Sequence, residues 1–303
     1  MNLTPELLAR LESLLDRAEL LLPETPVEPD WSVHRAARWR KRAGRGFLQP
    51  VAQPHALRLE DLQCIERAKT ELDRNIRQFV AGRPANHALL WGSRGTGKSS
   101  LVKALLNAYH GRGLRLIEVE AGDLVDLPDI VERIDGRPER FLIFCDDLSF
   151  EADDARYKAL KAVLDGSVAA PPDNVLIVAT SNRRHLLPEY MSENRDARIV
   201  DGELHHGEAV EEKVSLSERF GLWLSFHPFR QDDYLDVVTH WLAQLGYRGE
   251  FDETARGDAL RYALTRGSRS GRVAWQFARD LAGRRKIALG DEAARRQPPA
   301  VQP

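Results

Sequence analysis

The sequence is poor in residues that staple small or secreted folds: its 303 residues include two cysteines, Cys64 and Cys145. Two thiols cannot build a disulfide framework or a four-ligand zinc site, so both are expected to be reduced. Aromatic residues make up only 7%, but hydrophobic residues reach 43%. That is enough for a sizeable core in one large or two smaller domains of about 100–200 residues each. No window approaches the roughly 18 consecutive apolar residues of a membrane span. The opening Met1-Asn2-Leu3-Thr4-Pro5-Glu6 lacks a basic n-region and a small-residue cleavage site. These absences read as a cytoplasmic protein with no membrane partner. Net charge is missing too, since 44 Lys and Arg face 46 Asp and Glu, a balance of −2. The balance by itself points neither to a polyanion-binding surface nor to an acidic disordered tail. The charge is segregated, however: residues 1–30 hold seven acids and two bases, residues 31–58 seven bases and no acid, and residues 256–286 nine bases and two acids.

Thr4 and Pro5 are suited to start a helix, and Leu7, Leu8, Leu11, Leu14 and Leu15 then recur at helical spacing up to Pro23. Prolines at 23, 26 and 29 mark a linker, and residues 31–45 form a short basic segment. Up to residue 58 this predicts an appendage. From Leu59 onward helical segments alternate with five apolar runs, Ala88 to Trp91, Leu114 to Val119, Phe141 to Cys145, Val175 to Ala179 and Leu222 to Phe226. Short, wholly apolar runs fit parallel strands buried on both faces, so the fold class is α/β. After Pro228, Asp232 to Leu245, Thr254 to Thr265 and Ser270 to Ile287 read as three helices of a small helical domain, 229–290. The Pro-rich end, 291–303, reads as a disordered tail.

The strongest chemical signal is Gly92-Ser93-Arg94-Gly95-Thr96-Gly97-Lys98-Ser99, which matches G-x-x-x-x-G-K-[ST] between an apolar strand and the helical run Leu101 to Tyr109; these eight residues and Ser100 are candidates to bind nucleotide. Glycines let backbone N–H groups and a helix N-terminus face phosphate oxygens, Lys98 adds a point charge, and the Ser99 hydroxyl offers a ligand to Mg²⁺. A second apolar strand, Arg140 to Cys145, ends in Asp146 and Asp147. Asp146 is placed to hold the Mg²⁺ shell and Asp147 to orient or deprotonate an attacking water; the plainer reading is a pair of helix-capping acids. The fourth run ends in Thr180-Ser181-Asn182, where Asn182 or Ser181 is a candidate γ-phosphate sensor or a simple turn residue. The His205-His206 pair with Glu203 and Glu208 lacks metal-ligand spacing and reads as loop.

This set, with Arg219-Phe220-Gly221 before the fifth run and Arg272 at the start of the last helix, resembles the AAA+ ATPases over residues 59–287. The strings Phe79 to Asn86, Leu89 to Gly92, Phe144 to Phe150 and Ala179 to Pro188 are similar to the bacterial ATP-binding family known as domain of unknown function 815. The resemblance implies an αβα nucleotide-binding domain, 59–228, with five parallel strands in the order 5-1-4-3-2 and a helical lid. It also implies ATP and Mg²⁺ held at subunit boundaries and a homo-oligomer, with six subunits as the usual number. Position by position, Lys98 and Ser99 become Walker A, Asp146 and Asp147 Walker B, Asn182 sensor 1, Arg219 a finger acting on the neighbour's nucleotide, and Arg272 sensor 2. Leu59 to Leu62 resembles the adenine-side segment, where Cys64 replaces a frequent Gly, and many members carry Glu in place of Asp147. Residues 120–126 lack the aromatic-Gly element of unfoldases, which argues against polypeptide threading.

Two functions follow. One is an ATP hydrolase that remodels or loads an unknown protein partner. The other is a nucleic-acid-binding, helicase-loader-like module in which ATP is a regulatory switch. For the second, Arg35, Arg38, Arg40, Lys41, Arg42 and Arg45 would neutralise phosphates while Trp31 and Trp39 stack on bases. The bland alternative is a solvated basic strip, or one paired with the acidic N-terminal segment.

Overall fold

Seven strands, not five, form the central sheet, in the order β2-β1-β4-β5-β6-β3-β9. The computed structural model describes residues 4, 5, 10, 27–42, 44–150, 154–166, 172–183, 186, 198–200, 203–205 and 218–285. In chain order the sheet strands are β1 (Ala36–Arg42), β2 (Arg45–Pro50), β3 (Ala88–Gly92), β4 (Leu114–Val119), β5 (Arg140–Cys145), β6 (Val175–Ser181) and β9 (Leu222–Phe226). β7 (Arg198–Val200) and β8 (Glu203–His205) make a separate antiparallel pair. His205 therefore ends a short strand instead of lying in a loop, whereas His206 and Glu208 are outside the described residues, as are most of the expected N-terminal helix and the tail 291–303.

The helices are α1 (Glu66–Val80), α2 (Lys98–Tyr109), α3 (Leu127–Ile134), α4 (Ala155–Asp165), α5 (Gln231–Gln244), α6 (Glu253–Thr265) and α7 (Gly271–Arg284). β3, β4, β5, β6 and β9 are the five apolar runs, and every pairing among them is parallel. Along β5 the side chains alternate between two cores, with Leu142 and Phe144 on one face and Phe141, Ile143 and Cys145 on the other. Burial on both faces is why these strands read as unbroken apolar runs. α1 and α2 cover the first face and α3 and α4 the second, and the first core runs on without a break into α5, α6 and α7 through Trp241 and Trp275. Asp252 and Ser270 cap α6 and α7 by accepting from Ala255 N and Val273 N.

The expectation of an appendage up to residue 58 is corrected, because residues 36–50 are part of the main sheet. β1 pairs antiparallel with β2 and parallel with β4. Its basic residues meet acids on β4 and the following turn. Arg38 donates to Glu118 at 2.7 Å, Arg40 pairs with Glu120, and Lys41 lies 2.7 Å from Asp126 and 3.5 Å from Asp123. The hydrogen bond to Asp126 raises the Lys41 pKa above the ordinary lysine value. Trp31 packs edge-on against Phe141 with centroids 5.1 Å apart, and the Trp39 indole N–H donates to Asp126 at 2.8 Å. Both indoles are buried in the second core, which removes them as stacking platforms.

Gly46 shows how tightly the hairpin is built. A Cβ there would lie 1.9 Å from the Trp39 ring, over which the Arg133 guanidinium also lies, 5.2 Å from the centroid. Arg133 also donates to Gly46 O at 2.7 Å. Gly46→Ala is therefore expected to destabilise the protein by about 1–3 kcal/mol through overpacking. In a thermal melt this lowers Tm by roughly 2–5 °C. An unchanged Tm would mean that the hairpin is not docked.

Candidate nucleotide site

The Gly-rich loop joins the end of β3 to α2 at the carboxyl edge of the parallel strands, where open α/β sheets form their ligand crevice. Gly92, Gly95 and Gly97 all have positive φ, a region open to glycine at little cost. Gly92 is also fixed by space, because a Cβ would stand 2.0 Å from Phe226 O on β9, and the next residue, Ser93, donates its N–H to that same oxygen. The curl leaves the first N–H groups of the twelve-residue α2 pointing out of the helix without intrahelical acceptors.

Lys98 is buried and folds back over the loop, donating to Gly92 O at 2.7 Å, to Ser93 O at 2.8 Å and to Asn182 Oδ1 at 3.3 Å. Burial lowers its pKa to about 8; Asp146 and Asp147 oppose the shift, and Arg272 and Arg94 add to it. A desolvated ammonium of this kind gains from an anion delivered to it. The Ser99 hydroxyl donates to Asp146 Oδ1 at 2.6 Å, so a hydroxyl and a carboxylate share one point beside the loop.

Thr180, which the sequence did not single out, ties the two acids together. Its hydroxyl donates to Asp146 Oδ1 at 2.5 Å and accepts from Asp147 N at 2.8 Å, and its carbonyl accepts from Leu148 N. The signal was a polar β-branched residue closing an apolar strand. Asp147 has φ +53, a left-handed backbone that Asp tolerates better than most residues with a side chain. Cys64 similarly has φ 64, in the left-handed region that favours glycine. Burial, aided by Asp233, Glu66 and Asp236, pushes its thiol up to about 11, so it stays protonated near neutrality.

The structure also separates Asn182 from Ser181. Ser181 is fully buried and donates to Leu148 O, whereas Asn182 donates to Asp147 Oδ1 and faces Lys98. Arg272 begins α7 with its N–H bonded to Gly95 O at 3.2 Å, and a Cβ on Gly95 would meet Ser270 Oγ at 2.8 Å. The lid helix thus abuts the loop directly, and burial, with Arg94 nearby, lowers the Arg272 pKa from the usual arginine range. Thr96, Ser93 and Ser100 complete the loop, with Thr96 Oγ1 donating to Ser93 O and Ser100 buried behind it.

Arg219 lies before β9, where its Nε donates to Asp165 at the end of α4. In the segment 59–62, Asp61 accepts from Arg58 N at 2.9 Å and lies 3.6 Å from His240 on α5, which connects this segment to the C-terminal helices. The donor set fits a Mg²⁺-polyphosphate: buried cation, outward N–H groups, and a hydroxyl with a carboxylate for a hard cation.

Residues 32–285 match the family model described as Protein of unknown function (DUF815). A stretch of 79 residues is 40% identical to the replication factor C large subunit of Ignicoccus hospitalis, covering 25% of this chain and only 16% of that protein. The RuvB Holliday junction branch migration motor of Thermotoga maritima superposes with a TM-score of 0.50 at 15% identity, over 80% of this chain and 71% of its own. The Orc1 protein of Aeropyrum pernix, solved in complex with DNA, gives 0.52 at 16% identity over 77% and 64%. These structures are AAA+ P-loop ATPases, and at such identities the likeness is one of fold. Among the described residues no helix is long and apolar enough to cross a membrane.

Proposed function

Because the chain belongs to the family described as Protein of unknown function (DUF815) and has the AAA+ fold, we propose that it binds Mg-ATP at the loop 92–99 and hydrolyses it in a homo-oligomer. The observation that carries this reading is the convergence of Lys98, Ser99, Asp146, Asp147 and Asn182 in one network of contacts from three different strand ends. Lys98 and the outward N–H groups bind the phosphates. Ser99 and Asp146 hold the metal, and Thr180 keeps Asp146 turned toward it. Bound Mg²⁺ would supply charge neutralisation at the phosphate oxygens. Asp147 orients the attacking water and accepts its proton, and Asn182 fixes Asp147 and reads the terminal phosphate.

Arg219 acts in trans on the neighbouring protomer's nucleotide, in a ring of six, and Arg272 brings the lid to the phosphates. The work done is remodelling or loading of a protein partner. Of the groups the nucleic-acid alternative relies on, Trp31 and Trp39 are core residues and Arg38, Arg40 and Lys41 are paired with carboxylates, which leaves Arg35, Arg42 and Arg45 to carry it.

Phosphate release from ATP by the purified chain, with and without a Mg²⁺ chelator, tests the chemistry. Sizing in ATP and in ADP tests the ring. Mg²⁺-dependent release and a larger species in ATP are expected; a folded protein that binds no ATP at millimolar concentration would sink the reading.

A further inference from the structure

A cleft of about 400 Å³ opens on the flank of α2, between that helix, the segment 56–60 and the residue that precedes β1. It is set apart from the phosphate loop, since its α2 wall is Ala104, Asn107 and Ala108, more than one turn past Lys98 and Ser99. Its size is that of a small-molecule site. The short side chains of Ala104 and Ala108 leave the space, and the charged groups that line it are Arg35, Arg58 and Glu60.

Arg35 heads the basic strip of residues 35–45 and differs from its neighbours there. Arg38, Arg40 and Lys41 are paired with carboxylates, whereas among the described residues no carboxylate lies within ion-pair distance of Arg35. Its carbonyl accepts from Leu116 N at 3.0 Å, which fixes its backbone, while the residue stays exposed at the cleft. Arg58 is fixed by its own N–H, which donates to Asp61 Oδ2 at 2.9 Å. Two guanidiniums thus line one cleft from separate chain segments. A tetrahedral phosphate dianion has oxygens in several directions and can take a fork from each, whereas a planar carboxylate is satisfied by one. Glu60 adds a second requirement, because it repels a bare anion and favours a ligand hydroxyl that donates to it. Asn107 adds to this: both of its amide hydrogens are used, on His55 O at 2.6 Å and Leu57 O at 2.8 Å, so toward a ligand it can only accept.

The walls of the cleft lead to the phosphate loop. α2 begins with Lys98 and Ser99, and the segment 56–60 runs on to Ile65, whose Cδ1 lies 3.5 Å from the place that a Cβ on Gly97 would take. We propose that the cleft is an effector site for a small phosphate monoester bearing hydroxyl groups, held by Arg35 and Arg58 and selected by Glu60, whose binding braces the segment 56–65 against α2 and tightens nucleotide binding at the loop. The link to the loop rests on the reading of residues 92–99 as the ATP site; the cleft itself does not.

The test titrates ribose 5-phosphate, inorganic phosphate and malate into full-length Lys98→Ala by calorimetry, so that the phosphate loop does not compete. Ribose 5-phosphate is expected to bind about tenfold or more tightly than the other two, the scale of a hydrogen bond to a charged group. In that background Arg35→Ala should weaken it by about tenfold or more, through loss of a charge-assisted hydrogen bond. Ala108→Phe, at an exposed position of α2, should weaken it as well by filling the cleft with every charge in place. Glu60→Gln should narrow the gap between the ester and inorganic phosphate. In wild type, saturating ribose 5-phosphate is expected to tighten ATP by about fivefold or more, and ATP to tighten the ester by the same factor, with both effects lost in Arg35→Ala. No ester binding at millimolar concentration, tighter binding of malate, or an affinity unchanged in either Arg35→Ala or Ala108→Phe would overturn the site. Ester binding that leaves ATP affinity unchanged or weaker would overturn its link to the loop. Wild-type protein that binds the ester but no ATP would defeat the ATPase reading alone, so the two failures are distinguishable.

Discussion

Lys98→Ala is expected to weaken ATP binding by about 10²–10³-fold, the loss typical of truncating one partner of a buried, hydrogen-bonded charge pair. The residue is buried, its carbonyl partners are on the loop itself, and it is the cation nearest the helix N-terminus where phosphates dock. A circular dichroism spectrum matching wild type would show that the fold survives, and nucleotide titration gives the affinity. Binding within a few-fold of wild type would remove Lys98 from the site.

The same charge makes binding depend on pH, with a sign fixed by the shift. Burial lowers the Lys98 pKa to about 8, while bound phosphate favours the protonated form and raises it. Binding therefore takes up a proton above about pH 8, and wild-type affinity falls as pH rises from 8 to 9.5, by at most about tenfold per unit. Below the lowered value the lysine is charged in both forms, and this contribution is flat. In Lys98→Ala the fall above pH 8 should be absent.

Arg219→Ala is expected to cut turnover by about 10³-fold or more, the scale of arginine fingers in phosphoryl transfer, while ATP affinity changes less than about threefold. Within one chain the guanidinium is held by Asp165 on α4. That geometry makes a sharp prediction for mixtures. In a ring containing both Lys98→Ala and Arg219→Ala subunits, the first supplies an intact finger to the loop of the second, so mixing two inactive proteins should restore measurable hydrolysis. Unchanged turnover in Arg219→Ala alone would rule out a finger role. Lost turnover with no recovery on mixing would place Arg219 in its own chain's chemistry.

The parallel strands were legible because each is buried on both faces, and a continuous apolar run survives any detail of packing. The P-loop was legible for a related reason: backbone curvature demands glycine at set positions, and phosphate demands a lysine and a hydroxyl next to them. β1 was not legible. Its alternating Arg38, Arg40 and Arg42 are the solvent-side residues of a strand whose partner acids lie about 80 positions later, and Trp39 in it and Trp31 before it looked like a surface feature until Asp126 and Phe141 were placed against them. A hydropathy pattern read along the chain cannot see a charge that is neutralised across a sheet.

At the site the division is similar. Lys98, Ser99, Asp146 and Asp147 followed from motif spacing, but the choice of Asn182 over Ser181 did not, because adjacent polar residues at a strand end differ only in which one turns inward. Nor could sequence disclose that Asp147 sits at φ +53 or that Thr180 bridges both acids. By itself the sequence determined the fold class, the phosphate loop and the two acids, since these depend on local backbone geometry and on burial, both written in contiguous residues. Only the tertiary structure decided where the basic strip goes, which residue of Ser181-Asn182 faces the loop, and what restrains Asp147, because each of these depends on groups brought together from separate strand ends.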